Sequence, residues 1–144
     1  MSSVHWLGTG LSSIPGLRRL LKKNYNVFVW NRTLNKAQTL LGDLTNNIYK
    51  FDFSELETKI KGGDILISML PASHHLDIAK LCLRKNANFI CSSYISEELQ
   101  VLNSDVIKKG LVFLNEVGLD PGIDHLMAHD LVKQYKESYS FDQN

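Results

Sequence analysis

The sequence has few cysteines, no long apolar run and almost no net charge. Each of these features excludes a class of protein. Only two cysteines, Cys82 and Cys91, occur among the 144 residues. Both lie in apolar segments, which indicates buried free thiols in a reducing compartment rather than a disulfide. No apolar run approaches the roughly 18 residues of a membrane span, and the N-terminus lacks the basic segment and apolar core of a signal peptide. We therefore expect a cytoplasmic protein without a membrane partner.

Charge of neither sign predominates. The 16 Lys and Arg side chains nearly balance 15 Asp and Glu side chains, and the formal net charge is +1. Because this charge gives no long-range attraction for a polyanion, we expect no nucleic-acid partner. The sequence does have 44% apolar residues, enough for the core of about one domain at this length.

Short apolar runs alternate with amphipathic segments along the chain. Six runs are predicted to be strands, at residues 4–7, 26–30, 47–51, 64–70, 88–91 and 111–114. Strands of this near-continuous apolar character, separated by helices, indicate a parallel sheet covered on both faces. Right-handed crossovers then favour an α/β, doubly wound parallel sheet. Residues 1–144 are predicted to form one such domain, with no further strand after Glu137.

A glycine-rich turn follows the first predicted strand. Gly8 permits a tight turn, and Gly10 lets a pyrophosphate approach the backbone at the start of a helix. This Gly-x-Gly-x-x-Ser pattern is typical of a Rossmann-like, dinucleotide-binding domain, except that Ser13 stands where a third glycine or alanine is usual. The alternative interpretation is a structural glycine turn without a ligand.

The end of the second predicted strand indicates which dinucleotide would bind. An acidic residue that binds the ribose hydroxyls of NAD usually stands about 20 residues beyond the glycines. Here the residues are Asn31, Arg32 and Thr33, and the guanidinium fork of Arg32 suits a 2′-phosphate. The sequence therefore favours NADP, unless Arg32 is only a solvated loop residue.

Polar or unusual residues also follow the fourth and fifth predicted strands. The fourth strand ends at 68–70 before Pro71, next to the point where the strand order should reverse, and ligands of open parallel sheets bind at such points. The fifth ends at three hydroxyl side chains, 92–94, which could hold a polar ligand. The alternatives are a strand stopped by Pro71, and a loop in which Ser96 caps the next helix.

The sixth predicted strand leads into an acidic turn, residues 115–125, which precedes a predicted helix. This turn has two glycines, a proline, three acidic residues and a histidine, a composition that indicates contact with a ligand. His125 and His129 have a metal-compatible spacing. However, the glutamate of a His-Glu-x-x-His site is missing and no cysteine cluster completes a zinc site, so we expect no metal. For His74 and His75, at the start of another helix, we expect capping or solvent exposure.

Three segments give the chain a specific resemblance. Residues 67–71, 91–96 and 115–126 together resemble the NADP-dependent, L-glutamate-forming saccharopine dehydrogenases, also called saccharopine reductases. The glycine turn and residues 31–33 fit the same family, and the similarity extends from Val4 to about Val132. The resemblance implies a Rossmann domain followed by a substrate domain. It also implies an oxidoreductase of lysine metabolism, in which NADPH reduces the imine of L-glutamate and 2-aminoadipate 6-semialdehyde to saccharopine.

The resemblance and the motifs together imply a set of site residues. Those expected at NADP are Gly8, Thr9, Gly10, Leu11, Ser12, Asn31, Arg32, Thr33, Ser68, Met69, Leu70, Asp120, Pro121, Gly122, Ile123, Asp124, His125 and Leu126. Those expected at the amino-acid substrate are Ser93, Tyr94 and Asp120. Asp120 is also the candidate catalytic residue, because it could pair with an ammonium or iminium charge. Asp124 could alternatively cap the last helix, with His125 in its first turn.

The resemblance further implies that the family's substrate domain is missing from these 144 residues. We therefore expect a cofactor-binding domain that binds NADPH, reduces little on its own, and self-associates through an exposed apolar patch as a possible homo-oligomer. Two alternatives remain open. One is a non-catalytic nucleotide-binding or interaction module, and the other is a related imine reductase with a polyamine-type substrate.

Overall fold

All six predicted strands form, and they make one parallel sheet. A computed structural model describes residues 2–138. The strands are β1 (Val4–Leu7), β2 (Val27–Asn31), β3 (Ile48–Lys50), β4 (Ile65–Ser68), β5 (Asn88–Cys91) and β6 (Phe113–Leu114). Their order across the sheet is β3-β2-β1-β4-β5-β6, and every neighbouring pair is parallel. The predicted doubly wound α/β fold is confirmed.

The strand order reverses at β1, as the sequence predicts. Leu7 at the end of β1 is in register with Trp30 of β2 on one side and Ser68 of β4 on the other. The carboxyl ends of the three strands therefore meet at one edge of the sheet. This is the edge at which parallel sheets bind their ligands.

Seven α-helices occur within residues 2–138. They are α1 (Ile14–Lys22), α2 (Leu34–Leu41), α3 (Phe53–Lys59), α4 (His75–Lys85), α5 (Glu97–Val101), α6 (Asn103–Lys108) and α7 (Ile123–Ser138), with a short 3-10 helix at Ala72–His74. Ser96 caps α5 as predicted, because its hydroxyl accepts the Leu99 N–H at 3.3 Å. None of these helices has the length and apolarity that crossing a bilayer requires.

Two apolar cores cover the two faces of the sheet. Alternate side chains of β1 point to opposite faces, so Trp6 belongs to one core, with Leu17, and Leu7 belongs to the other, with Phe89. Full burial of a leucine or phenylalanine stabilises a fold by about 1.5–3 kcal/mol. Cys82 and Cys91 are free and buried, as the sequence predicts.

A buried hydrogen-bond network connects β1 with β2 and with the start of β4. Asp64, just before β4, accepts the backbone N–H groups of Ser3 and Lys61, each at 2.8 Å. His5 on β1 contacts the same carboxylate through Nε2 at 3.3 Å, and its Nδ1 accepts the Trp30 indole N–H at 3.2 Å. Because Nδ1 is an acceptor, the Nε2–H tautomer of His5 fits both contacts.

The last strand is shorter and more exposed than predicted. The run 111–114 was expected to be buried, but β6 has only two residues, and Val112 and Leu114 are 52% and 45% exposed. The physical reason is that β6 is an edge strand, which pairs with β5 alone. Similarly, β4 ends at Ser68, two residues earlier than predicted.

Helix α7 follows β6 and none of its residues is buried. Apolar side chains are exposed along its length, among them Leu126, Met127, Leu131 and Val132. This helix therefore presents an apolar surface within the part of the chain that the structure describes. The prediction of no further strand concerns residues 139–144, which lie outside the described residues.

Candidate functional site

The glycine turn after β1 has a backbone that only glycine adopts easily. Gly8 has a φ of +99° and donates its N–H to the Trp30 carbonyl at 2.8 Å. A side chain at Gly8 would place its Cβ only 2.9 Å from the Met69 carbonyl oxygen. The close approach of β1 and β4 at the reversal point therefore requires glycine here.

The departure from the glycine fingerprint at Ser13 has a structural reason. The Ser13 hydroxyl donates to the Gly10 carbonyl at 2.8 Å and lies 3.4 Å from the Gly8 carbonyl. Ser13 is only 2% exposed, so a larger residue would not fit. In contrast, a Cβ at Gly10 would meet nothing within 4 Å, and the backbone at Gly10 is open to a ligand.

Asn31 connects this turn to the end of β2. Its Oδ1 accepts the Thr9 N–H at 3.2 Å, and its Nδ2 donates to the Thr33 carbonyl at 2.8 Å. Both polar ends of the amide are therefore used within the protein. Asn31 therefore connects the two loops, and its predicted contact with the cofactor stays a prediction.

Thr9 has a buried hydroxyl without a partner. The residue is 3% exposed, and its Oγ1 has no hydrogen bond within residues 2–138. A buried polar atom left unsatisfied costs about 1–3 kcal/mol, so such atoms call for an explanation. The position of Thr9, between the two glycines of the turn, indicates a hydrogen bond to a bound ligand.

A cavity of about 400 Å³ lies at this edge of the sheet, and we call it the glycine-turn cavity. Its lining comes from the ends of β1, β2, β3 and β4 and the segments that follow them: Gly8, Thr9, Gly10, Asn31, Arg32, Thr33, Lys36, Phe51, Met69, Leu70, Pro71 and His74. The structure thus brings together eight of the predicted cofactor residues. Lys36, Phe51, Pro71 and His74 were not among the predicted residues, although the spacing from Arg32 to Lys36 is a signal that could have identified Lys36.

One end of the glycine-turn cavity is cationic. Arg32 and Lys36 are both exposed and have no hydrogen bond or ion pair within the described part of the chain. Thr33 is the N-cap of α2, and its side chain makes no capping bond. Two cations, a free hydroxyl and a helix N-terminus suit a phosphate group.

Other predicted cofactor residues lie outside this cavity lining. Leu11 is 93% exposed, and Ser12 is exposed beside it. Ser68 is fully buried, and its Oγ lies 3.0 Å from His75 Nδ1. Residues 120–126 do not line the glycine-turn cavity either. Their predicted cofactor contacts therefore stay predictions.

The acidic turn is a compact loop held by its own backbone. Gly118 and Gly122 form an isolated β-bridge, and the Asp120–Pro121 peptide bond is cis. Asp124, at the start of α7, accepts the Gly122 N–H through Oδ1 at 2.7 Å. Asp124 thus lies inside the first turn of α7 and not at its N-cap, and its bond closes the acidic turn on the helix.

The segments that carry the predicted substrate residues are held together. The Tyr94 hydroxyl donates to Asp120 Oδ1 at 2.8 Å, and this carboxylate raises the pKa of Tyr94. Two further bonds join the ends of β5 and β6, from Glu116 N–H to the Ser93 carbonyl and from Val117 N–H to the Cys91 carbonyl. We call Ser93, Tyr94 and Asp120 the substrate cluster, although the Ser93 hydroxyl itself bonds to His75.

The acidic turn and α7 line a second cavity, of about 790 Å³, which includes His125 and His129. No group of three His, Cys, Asp or Glu side chains suited to a metal occurs within residues 2–138.

His75 is buried, which contradicts the expectation of capping or solvent exposure. It is 3% exposed, and the N-cap of α4 is its neighbour His74, whose side chain makes no capping bond. Its Nδ1 lies 3.0 Å from Ser68 Oγ and its Nε2 lies 2.8 Å from Ser93 Oγ. The imidazole is buried because hydroxyl groups at the ends of β4 and β5 satisfy both of its nitrogens.

Comparison with known proteins identifies the family. A family model described as the saccharopine dehydrogenase NADP binding domain matches residues 4–114. The chain belongs to this family. The predicted family and the predicted cofactor, NADP, are therefore confirmed, and the unpartnered Thr9 hydroxyl and the cationic end of the cavity fit that cofactor.

Relatives of this NADP-binding domain are considerably longer than the chain. The L-glutamate-forming, NADP⁺-dependent saccharopine dehydrogenase of Saccharomyces cerevisiae is 36% identical over 130 residues, which are 88% of this chain and 29% of the relative. Mitochondrial alpha-aminoadipic semialdehyde synthase of Mus musculus is 30% identical over 136 residues, 91% of this chain and 15% of that protein. The chain thus spans less than a third of each.

A solved structure supports the same relationship. The apo, histidine-tagged saccharopine dehydrogenase (L-Glu forming) from Saccharomyces cerevisiae superimposes with a TM-score of 0.79 at 30% sequence identity. The match covers 95% of this chain and 32% of that one.

Proposed function

We propose that residues 1–144 act as a single NADPH-binding domain in an oxidoreductase that forms saccharopine from L-glutamate and 2-aminoadipate 6-semialdehyde in lysine metabolism. The observation that carries this proposal is the glycine-turn cavity, whose lining includes Thr9, with its unpartnered buried hydroxyl, and the free cations Arg32 and Lys36. A protein of the family needs a dinucleotide there, and the similarity to L-glutamate-forming relatives supports the substrate assignment.

The residues at this edge of the sheet divide into three groups in this proposal, one for each part of the dinucleotide. Gly8, Thr9 and Gly10, with the exposed Leu11 and Ser12, contact the pyrophosphate at the start of α1, where helix N–H groups are free. Arg32, Thr33 and Lys36 bind the 2′-phosphate of the adenosine. Met69 and Leu70, at the end of β4, flank the nicotinamide side, and Asn31 holds the two loops in place.

The substrate cluster binds the amino-acid substrate. Asp120 pairs with an ammonium or iminium nitrogen, and Tyr94 holds the carboxylate of Asp120 through its hydroxyl. Ser93 contacts the same substrate. The bound cofactor supplies a hydride for the imine carbon, and a proton must reach the imine nitrogen. Residues 120–126, with Pro121 and Gly122 at the bend, keep Asp120 at the edge of the sheet between β5 and α7.

The proposal also includes self-association and a cellular location. The exposed apolar residues of α7 mark a contact surface, and we expect it to support homo-oligomers in concentrated solution. We propose a cytoplasmic location, while the mouse relative is named as mitochondrial.

Titration with NADPH and NADH tests the cofactor assignment. We expect saturable binding of NADPH, detected by nicotinamide fluorescence, and much weaker binding of NADH. Reduction of the imine substrate by residues 1–144 on their own should be slow, because they match only 29% of the yeast relative. Binding of neither dinucleotide would contradict the proposal and favour a non-catalytic module.

A further inference from the structure

A buried imidazole bridges two hydroxyl groups between the glycine-turn cavity and the substrate cluster. His75, the first residue of α4, has Nδ1 3.0 Å from Ser68 Oγ and Nε2 2.8 Å from Ser93 Oγ. Ser68 is fully buried, His75 nearly so, and Ser93 is half-buried at the edge of the sheet. The relay therefore runs from the interior towards the open edge.

Hydrogen-bond satisfaction fixes the direction of this relay. The buried hydroxyl of Ser68 has one partner within residues 2–138, the Nδ1 of His75, so the proton of Ser68 can be satisfied only if Nδ1 accepts it. Burial, and after it the neighbouring His74, lower the pKa of His75, and the ring is neutral at neutral pH. A neutral ring with an accepting Nδ1 carries its proton on Nε2. Nε2–H therefore donates to Ser93.

The Nε2–H tautomer of His75 determines the hydrogen-bonding role of the Ser93 hydroxyl. Its oxygen accepts the His75 proton, so its own O–H is available as a donor to a ligand. We propose that Ser68 and His75 are positioning residues that fix Ser93 as a hydrogen-bond donor for the carboxylate of an amino-acid substrate. This inference rests on the proposed function and adds the residues that set the recognition of one substrate group.

The neighbouring residue supports a carboxylate rather than an ammonium group at Ser93. Tyr94 donates to Asp120 at 2.8 Å, and that carboxylate is the partner for a cationic nitrogen. An α-amino acid carries its carboxylate and its ammonium on one carbon. A hydrogen-bond donor at Ser93 and an anion at Asp120 are complementary to these two groups, whereas an accepting Ser93 would duplicate the role of Asp120.

The first experiment measures the tautomer directly on this chain. Long-range proton–nitrogen correlation NMR on protein with isotopically labelled histidine distinguishes a protonated ring nitrogen from an unprotonated one. The His75 signals are assigned by their loss in His75→Asn. We expect a protonated Nε2 and an unprotonated Nδ1 without any ligand. The reverse tautomer, or an equal mixture of both, would overturn the relay.

The second experiment compares two amide variants at saturating NADPH with L-glutamate as the probe. Gln extends its amide nitrogen towards the position of Nε2 and can still donate to Ser93, whereas Asn reaches only the position of Nδ1. We expect L-glutamate to bind about tenfold more weakly to His75→Asn, the loss of one hydrogen bond to a charged group. His75→Gln should recover most of that loss.

The variants also separate this inference from a purely structural role. Equal effects of His75→Asn and His75→Gln, an unchanged L-glutamate affinity in both, or no L-glutamate binding by the original chain would each overturn it. If the proposed function is wrong, the original chain does not bind NADPH, and this result differs from each of the outcomes above. The tautomer measurement does not depend on NADPH.

Discussion

Arg32 and Lys36 should set the preference for NADPH at the level of single side chains. Arg32→Ala removes a guanidinium that has no partner within the described residues, so the variant should lose phosphate binding without losing a protein contact. A hydrogen bond to a charged group contributes about 1.5–3 kcal/mol, or roughly a 10–100-fold loss of NADPH affinity. Fluorescence titration measures this loss, and NADH affinity should not change.

The control for Arg32→Ala is Arg19→Ala, which removes an exposed charge of the same kind from α1. Lys36→Ala should weaken NADPH binding less than Arg32→Ala does, because an ammonium group makes a point contact and not a bidentate one. An equal loss of NADPH and NADH affinity in Arg32→Ala would place Arg32 away from the 2′-phosphate.

A second prediction for a single residue concerns Thr9. Removal of its hydroxyl should not destabilise the free protein but should weaken NADPH binding. Thr9→Val keeps the shape of the side chain but removes a buried hydroxyl that has no partner in the free protein. We expect the thermal stability of the free protein to be unchanged or raised, by up to about 1–3 kcal/mol in the free energy of unfolding. NADPH affinity should fall, because the ligand loses a hydrogen bond.

Thr9→Ser is the matched control for Thr9→Val, since it keeps the hydroxyl and loses a methyl group. Thermal unfolding and NADPH titration on the three proteins give both readouts. A Thr9→Val protein that is less stable without NADPH would show that the hydroxyl has a protein partner. An unchanged NADPH affinity would show that the hydroxyl does not bond to the cofactor.

Among the elements, the strands were predictable, whereas the length and exposure of the last strand were not. Central strands such as β1 and β4 are buried on both faces, so nearly every residue is apolar and the run is visible in the sequence. The exposure of β6 depends on its place at the edge of the sheet, which no local pattern records. The reversal point and the glycine turn could be predicted because both follow from strand order and handedness.

The residues of the candidate site were likewise predictable only in part. Gly8 and Arg32 were recognisable because their roles depend on residue type and on spacing along the chain. The burial of His75 was not, because its two partners, Ser68 and Ser93, are seven and eighteen positions away and meet it only when β4 and β5 pair. A histidine next to the exposed His74 looks like a surface residue until the sheet is assembled.

Ser13 gives a prediction for the turn and α1 as one element. Ser13→Ala removes the hydrogen bond to the Gly10 carbonyl and should destabilise the protein by about 1 kcal/mol. Ser13→Gly restores the usual fingerprint, yet it should destabilise further, by about 0.5–1 kcal/mol more, because glycine loses more backbone entropy on folding. Urea unfolding measures both free energies. A Ser13→Gly protein more stable than the original would contradict a stabilising role for the Ser13 hydroxyl.

For the whole molecule, two buried histidines should make stability fall in acid. Burial is the main cause that lowers the pKa of His5 and of His75 below the usual value of 6.5. In the unfolded chain both imidazoles bind a proton as the pH falls through 6.5, while in the folded protein they stay neutral to lower pH. The folded state is therefore fully favoured above pH 6.5 and loses stability below it.

Each such histidine should contribute up to about 1.4 kcal/mol per pH unit to the slope. Urea unfolding at a series of pH values measures the slope. His75→Gln should reduce it, whereas His129→Gln, a change at an exposed position of α7, should not. A stability that is independent of pH below neutrality would mean that the buried imidazoles accept protons in the folded protein.

The exposed apolar face of α7 should make the molecule self-associate. Met127 and Leu131 are four residues apart, on one side of the helix, and are 58% and 63% exposed. Burying both against a second copy removes apolar surface from water, at about 25 cal/mol per Å². We expect the weight-average mass from sedimentation equilibrium to rise with concentration. The double variant Met127→Lys, Leu131→Lys should remain monomeric, while Lys133→Glu should associate like the original chain. A strict monomer at the highest concentration would show that this face has no affinity for itself.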